Sequence, residues 1–418
     1  MPESQDLAEL LAAAEAKLVS TAAQMEELTV KCRRLEAEND DLAFTISTLN
    51  ERSAAAGDAA PAARPPADDG APPIEYAQLF VHGAGLQTLE KPTLAIGRAG
   101  GDSNCVSVAL RPRSALGRGD DDSSVAVGGA DNMIRLFHGA TLMGTAQCAA
   151  PPITIAWEPT VGRRLAAGCM DGSVGIYDVN GEDDINAAFT CTSTLKHHTK
   201  FVVDCQWSRD GRVLATSARD GSVVLCRAQG PGGTQLSKVH TFVLPANPEC
   251  CAFVDDATLA VSVRSEPFIR YIDLETLAET RVSLNNSIWD THSSFDVLRL
   301  VPSADRKFLL AATDKHKHVV YSVRDHKHVR ILVGHASDEY SNTRAAWIDN
   351  DGVVVSTSKD NSLHQWCFAS GKPLGTVLRA HQGQIRDLDA RGGVVATASF
   401  DKTVRLWEPC TPTRLAPV

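Results

Sequence analysis

No stretch of the 418-residue chain approaches the eighteen or so consecutive apolar residues that a membrane-spanning helix requires, so no membrane insertion is expected. The opening MPESQDLAEL lacks the basic start and apolar core of a secretory leader. The 11 cysteines are scattered and never form a C-x-x-C, which argues against a disulfide framework and a cysteine-rich zinc site. A reducing, intracellular setting is expected: cytoplasmic first, with nuclear or cytoskeletal and ciliary association also compatible. Also missing are the G-x-x-x-x-G-K-[ST] phosphate loop, the G-x-S-x-G nucleophile elbow and the H-E-x-x-H metal helix. The expectation is therefore of no enzyme and no cofactor. Clustered basic residues are scarce: the net charge is −10, residues 1–75 carry −9 of it, and the remainder is nearly neutral. Nucleic-acid binding, which needs phosphate-neutralising Lys and Arg in clusters, has no support. What is present is ordinary for a soluble globular chain, with 43% hydrophobic and 22% charged residues.

The first 50 residues read as an oligomerisation helix. Leu7, Leu11, Ala14, Leu18, Thr21, Met25, Leu28, Cys32, Leu35, Asn39, Leu42, Ile46 and Leu49 follow an unbroken alternation of steps of four and three. Such a narrow, 3.5-periodic stripe is the seam of a coiled coil. Asn39 falls at an a position, where a buried amide meets its own counterpart only in a parallel, in-register pair. Lys31 at g and Glu36 at the following e suit an interchain ion pair in that arrangement. A parallel homodimer is the expectation; a helix packing back on its own chain and a heteromeric partner helix are the alternatives. No basic region precedes the stripe, which excludes a zipper transcription factor. Residues 51–73, ERSAAAGDAAPAARPPADDGAPP, contain no Val, Leu, Ile or aromatic residue and read as a flexible linker.

From residue 74 the chain repeats itself. AHQGQIRDLDARGGVVATASFDKTVRLWEP, from Ala380, and GHASDEYSNTRAAWIDNDGVVVSTSKDNSLHQW, from Gly334, share one order of features. Each has a small residue plus His, a strand, a Gly-containing turn, a small-residue strand ending in Ser-x-Asp, and Trp six residues beyond that Asp. Equivalent anchors at Asp131, Asp171, Asp220, Glu266, His316, Asp360 and Asp401 are separated by 40, 49, 46, 50, 44 and 41 residues. Short β-branched runs between Asp-Gly, Asn-Asp-Gly and Arg-Gly-Gly turns predict one four-stranded sheet per unit. Such a sheet cannot bury both faces alone, so successive sheets must pack on one another.

These residues resemble the WD-repeat family of β-propellers over about Ser103 to Pro409. The resemblance implies an all-β, seven-bladed β-propeller over residues 74–418, preceded by the α-helical coiled coil. It also implies that Ile74–Val81 supplies the outer strand of the last blade. It further implies hydrogen-bonded tetrads at His381, Ser399, Asp401 and Trp407 and at His335, Ser358, Asp360 and Trp366. Cys226, Phe137, Tyr177 and Ile272 stand where other blades would have Trp.

Propellers usually act through their rims. The residues before the turn anchors, Ala130, Met170, Arg219, Ser265, Lys315, Lys359 and Phe400, should project from the upper face together with Lys317 and Lys402. A ring of positive charge with exposed Met170 and Phe400 predicts a protein partner offering an acidic and hydrophobic segment, with Arg219 and Lys359 as charge partners. The expected role is a non-catalytic scaffold for protein–protein interaction. One alternative is a substrate receptor of a ubiquitin ligase, although no Trp-Asp-x-Arg ends a blade. A metal-binding protein using the two H-x-H pairs His316/His318 and His326/His328 is another.

Overall fold

The computed structural model describes residues 88–112, 124–180, 188–229, 235–285, 295–337, 342–348, 350–391 and 393–408. The heptad stripe, the 51–73 linker and Ile74–Val81 lie outside them.

The described residues form seven antiparallel four-stranded sheets. The innermost strands of blades 1 to 7 are Cys105–Leu110, Pro152–Trp157, Val202–Trp207, Pro248–Phe253, Val297–Pro302, Ala345–Ile348 and Ile385–Arg391. Each packs beside the innermost strand of the next blade, so the seven enclose an axis. Blade 7 is completed from the other end of the chain: Leu94–Ile96 pairs antiparallel with Val404–Trp407, Leu94 opposite Leu406 and Ile96 opposite Val404. The closing strand thus begins twenty residues later than Ile74, where the sequence placed it.

Composition follows depth. The second strands, such as Ser124–Gly129, Val213–Ala218 and Phe308–Thr313, are buried at every position because neighbouring blades cover both faces. Small side chains permit that approach. A Cβ at Gly168 would lie 2.6 Å from Val202 Cγ1 and 2.9 Å from Cys205 Sγ of the next blade. Outermost strands, such as Glu279–Ser283 and Pro373–Val377, have one blade edge in water and are largely polar or exposed.

One irregularity recurs around the axis. In six blades the innermost strand shifts register against the second at its third residue, giving a β-bulge before Ser107, Thr154, Asp204, Cys250, Arg299 and Asp387. The bulge turns several of these side chains toward other blades. Ser107 Oγ donates to Pro152 O at 2.7 Å, Asp204 Oδ2 accepts from Cys251 N at 3.1 Å, and Asp387 Oδ2 accepts from Val108 N at 2.9 Å. Arg299 reaches past blade 4 to Asp204 at 2.8 Å, and Arg344 lies 3.4 Å from Asp387. At the far end of the innermost strands, the indoles of Trp157, Trp207 and Trp347 donate to the backbone of the preceding blade, at Ala109, Ala156 and Val301.

The amino-terminal approach is clasped separately. Leu89 N donates to Gln365 Oε1 at 2.6 Å while Gln365 Nε2 donates to Leu89 O at 2.8 Å, and the Leu89 side chain joins the apolar core between blades 6 and 7.

Asp387→Ala would leave the Val108 N–H without its acceptor and Arg344 without its carboxylate, both buried. A loss of about 3 kcal/mol is expected in urea unfolding followed by circular dichroism.

Candidate functional site

The upper face is built from the turns joining second to third strands. In five of the seven turns the anchor carboxylate accepts from the backbone two residues onward: Asp131 from Met133, Asp171 from Ser173, Asp220 from Ser222, Asp360 from Ser362 and Asp401 from Thr403. The residue between takes a left-handed backbone, filled by Gly172 and Gly221 but also by Asn132, Asn361 and Lys402. Backbone bonds then tie each turn to its blade's entry: Met170 N to Pro151 O, Arg219 N to Phe201 O, Phe400 N to Gln384 O. The side chains preceding the anchors are thereby fixed at the rim.

There Met170 is 57% and Phe400 37% exposed, and Lys315, Lys359 and Lys402 are exposed as well. Phe201, 36% exposed and not singled out by the sequence reading, belongs to this face because it opens blade 3. Its signal is position: it is the residue directly before an innermost strand.

Two expectations change. Arg219 is engaged by Glu249 through two contacts of 2.6 and 2.7 Å, so it is not an uncommitted charge partner. The ring is not uniformly positive, since Glu249 and Asp296 hold Arg264 between them at 3.4 Å each. Three further cations sit against rings or a carboxylate. Lys317 Nζ lies 4.9 Å above Phe295, Arg386 lies 5.1 Å over Phe400, and Lys315 is 3.7 Å from Asp314.

Beneath this face lie the buried histidines. His381 Nδ1 donates to Asp401 Oδ2 at 3.0 Å, its Nε2 accepts from the Thr397 hydroxyl at 2.8 Å, and the Trp407 indole donates to that hydroxyl at 2.9 Å. The hydroxyl in this network is Thr397 rather than Ser399, which instead donates to Gly383 O. Hydrogen bonds from Thr403, Gln382 N and His381, with the His381 interaction, hold the Asp401 carboxyl down at about 2 despite its partial burial. A second network was missed in the sequence. His198 contacts Thr216 Oγ1 at 2.9 Å and Asp220 at 3.3 Å, with Cys226 in the aromatic position. Thr216, Asp220 and Cys226 repeat the four- and six-residue steps of Thr397, Asp401 and Trp407, which is the pattern that would have revealed it.

Blade 6 departs from the expected tetrad. By the same steps its hydroxyl is Ser356, not Ser358, and Ser356 is taken by His318 of blade 5, whose Nε2 lies 2.8 Å away. His335 is left stacked on His318 at 4.0 Å between ring centroids, with neither ring nitrogen in a well-formed hydrogen bond. Trp366 donates to Val333 O rather than to a hydroxyl. Ser358 bonds the Ala336 backbone.

The same geometry disperses the four candidate metal ligands. His318 is fully buried, His316 Nδ1 contacts His335 O, His328 Nε2 donates to Leu284 O, and His326 packs on Tyr271. His318 pairs with Leu332 and His328 with Tyr321, which separates the pairs by about 10 Å along the hairpin. Among the described residues no three His, Cys, Asp or Glu side chains gather where they could hold a metal ion.

Burial lowers the His335 pKa to about 4, and burial likewise drives His318 well below its ordinary value. Neutral imidazoles therefore favour the folded state fully above the unfolded value near 6.5, and that contribution is lost as the pH falls from about 6.5 toward 4. His335→Phe, which removes two unpaired nitrogens, should raise neutral-pH stability by about 1 kcal/mol and flatten this acid limb, measured by thermal melts at pH 7.5 and pH 5.

A family model described as "WD domain, G-beta repeat" matches residues 189–226 and 371–408. Each match runs from an outermost strand through three strands of the following blade, and those blades, 3 and 7, hold the two complete His-hydroxyl-Asp networks. The chain is 24% identical to "WD repeat-containing protein 26 homolog" of Arabidopsis thaliana over 66% of its length and 43% of that protein's. It is 23% identical to "WD repeat-containing protein WDS homolog" of Arabidopsis thaliana over 68% of this chain and 51% of the relative. With "Chromatin assembly factor 1 subunit FAS2 homolog" of Oryza sativa subsp. japonica it shares 28% identity over 27% of this chain and 22% of the relative. The chain thus spans about half or less of the length of these relatives, and none of their names describes an enzyme. WD40 repeats are present in this chain, matched in blades 3 and 7 of a seven-bladed β-propeller.

Proposed function

We propose that this protein is a non-catalytic scaffold, paired through a parallel coiled coil over residues 7–49, whose propellers present their upper faces to other proteins. The observation that carries the docking reading is the apolar set Met170, Phe201 and Phe400, exposed among Lys315, Lys359 and Lys402 on one rim. Large apolar side chains with cations beside them suit a segment that is itself acidic and hydrophobic. A relative named as a subunit of a chromatin assembly factor supports a role within an assembly. Two faces on one dimer would favour a partner carrying the segment more than once, because the second contact forms at high effective concentration.

Two measurements test this. Light scattering should give a dimer for the full chain and a monomer for Leu35→Asp/Leu42→Asp; equal masses would sink the pairing. Fluorescence polarisation with acidic, aromatic-containing peptides should find a binder whose affinity falls by about 100-fold or more on Met170→Ala/Lys359→Ala/Phe400→Ala, at unchanged melting temperature. An unaffected binder would place the docking site elsewhere.

A further inference from the structure

The axis of the propeller holds a cavity that the docking face does not use. Its volume is about 190 Å³, and it lies in the lower half of the channel, away from the upper-face turns. Four arginines line it, Arg209, Arg299, Arg306 and Arg391, against two carboxylates, Asp387 and Asp389.

The charges in the wall are already accounted for in part. Arg299 pairs with Asp204 at 2.8 Å. Asp387 accepts from Val108 N and faces Arg344. Asp389 accepts from Leu110 N at 2.7 Å and from Ala390 N at 3.0 Å. This leaves Arg209, Arg306 and Arg391, contributed by blades 3, 5 and 7. None of the three enters an ion pair with another described residue.

Arg306 is the most constrained of them. Its backbone adopts a left-handed φ of 61°, and its guanidinium donates to Phe253 O, so the side chain is held in the cavity wall. Burial first, and then the neighbouring Arg209 charge, push its pKa down; Asp256 and Asp255 oppose this. Asp256 faces a separate surface pocket with Arg164 and Arg212 rather than the channel. Three guanidiniums thus line one small polar cavity, and of its two carboxylates Asp387 faces Arg344 while Asp389 sets a single negative charge against the three.

We propose that this lower channel mouth is a binding site for a phosphate monoester, held by Arg209, Arg306 and Arg391. A carboxylate would carry only one charge for three guanidiniums, whereas a phosphate dianion offers three acceptor oxygens in a compact group. The volume admits a phosphoryl group and the few atoms behind it, and lies below the roughly 300 Å³ of pockets that enclose larger ligands. The ester can be a small free molecule or a phosphorylated Ser or Thr side chain of a partner. The proposal is independent of the upper face and of the coiled coil.

Isothermal titration of the full-length protein with inorganic phosphate, glycerol 3-phosphate and a Gly-Gly-phosphoserine-Gly-Gly peptide tests it. The expected result is saturable binding of inorganic phosphate, weakened about tenfold by each of Arg209→Gln and Arg391→Gln, both exposed side chains whose replacement spares the fold. Arg212→Gln, on the neighbouring pocket, should leave it unchanged. Tighter binding of the peptide than of glycerol 3-phosphate supports the site and assigns it to a phosphorylated chain; the reverse order supports it and assigns a small metabolite. Absence of saturable binding, or equal weakening by Arg212→Gln, overturns the proposal.

Discussion

Everything in this propeller depends on joining seven sheets that share no backbone ladder with one another. Sheets of four strands leave an open edge and two apolar faces, and packing alone would let adjacent blades slide. The bulge in the innermost strands supplies directional links. By displacing one residue it aims Ser107, Asp204 and Asp387 at backbone groups of the adjoining blade. Asp387 does this at the junction where the chain's end meets its beginning, so the seam uses the same device as the continuous joints. Leu94–Ile96 adds a second, covalently distant link within blade 7. The buried tryptophans at the lower ends of blades 2, 3 and 6 repeat the device with an indole donor in place of a carboxylate acceptor.

Within blades, the same pressure to satisfy buried polar groups has been met unevenly. Blades 3 and 7 complete a histidine network, and these are the blades a family model detects. Blade 6 keeps His335 and Trp366 but loses the hydroxyl to His318, an intrusion from blade 5 that converts a hydrogen-bonded imidazole into a stacked one. Elsewhere Phe137, Tyr177 and Ile272 occupy the aromatic position and are buried there by packing.

Much of the architecture was legible because its signals are local. Turn anchors at a spacing of 40 to 50 residues, five of them followed by an Asn, Gly or Lys in a left-handed turn, mark seven blades without reference to tertiary structure. The errors lie where the deciding contact is remote in sequence. Thr397 and Ser399 differ by two residues, so both point to the same side of the strand, and only the position of the His381 ring separates them. Nothing near Ser356 announces that a histidine 38 residues earlier will occupy it. Arg219 read as an available cation because Glu249, 30 residues on, belongs to another blade's entry. The arginines of the channel escaped notice for the same reason: each is unremarkable in its own turn, and their convergence exists only around the axis.

The clasp at Leu89 has a mechanical meaning. Gln365 grips both the amide and the carbonyl of that residue, upstream of the three-residue closing strand. Tension arriving along the amino-terminal arm must therefore load a side-chain amide in blade 6 before it can peel Leu94–Ile96 from blade 7. The ring's seam is shielded by a tether that yields first, and its two hydrogen bonds can re-form without the sheets ever separating.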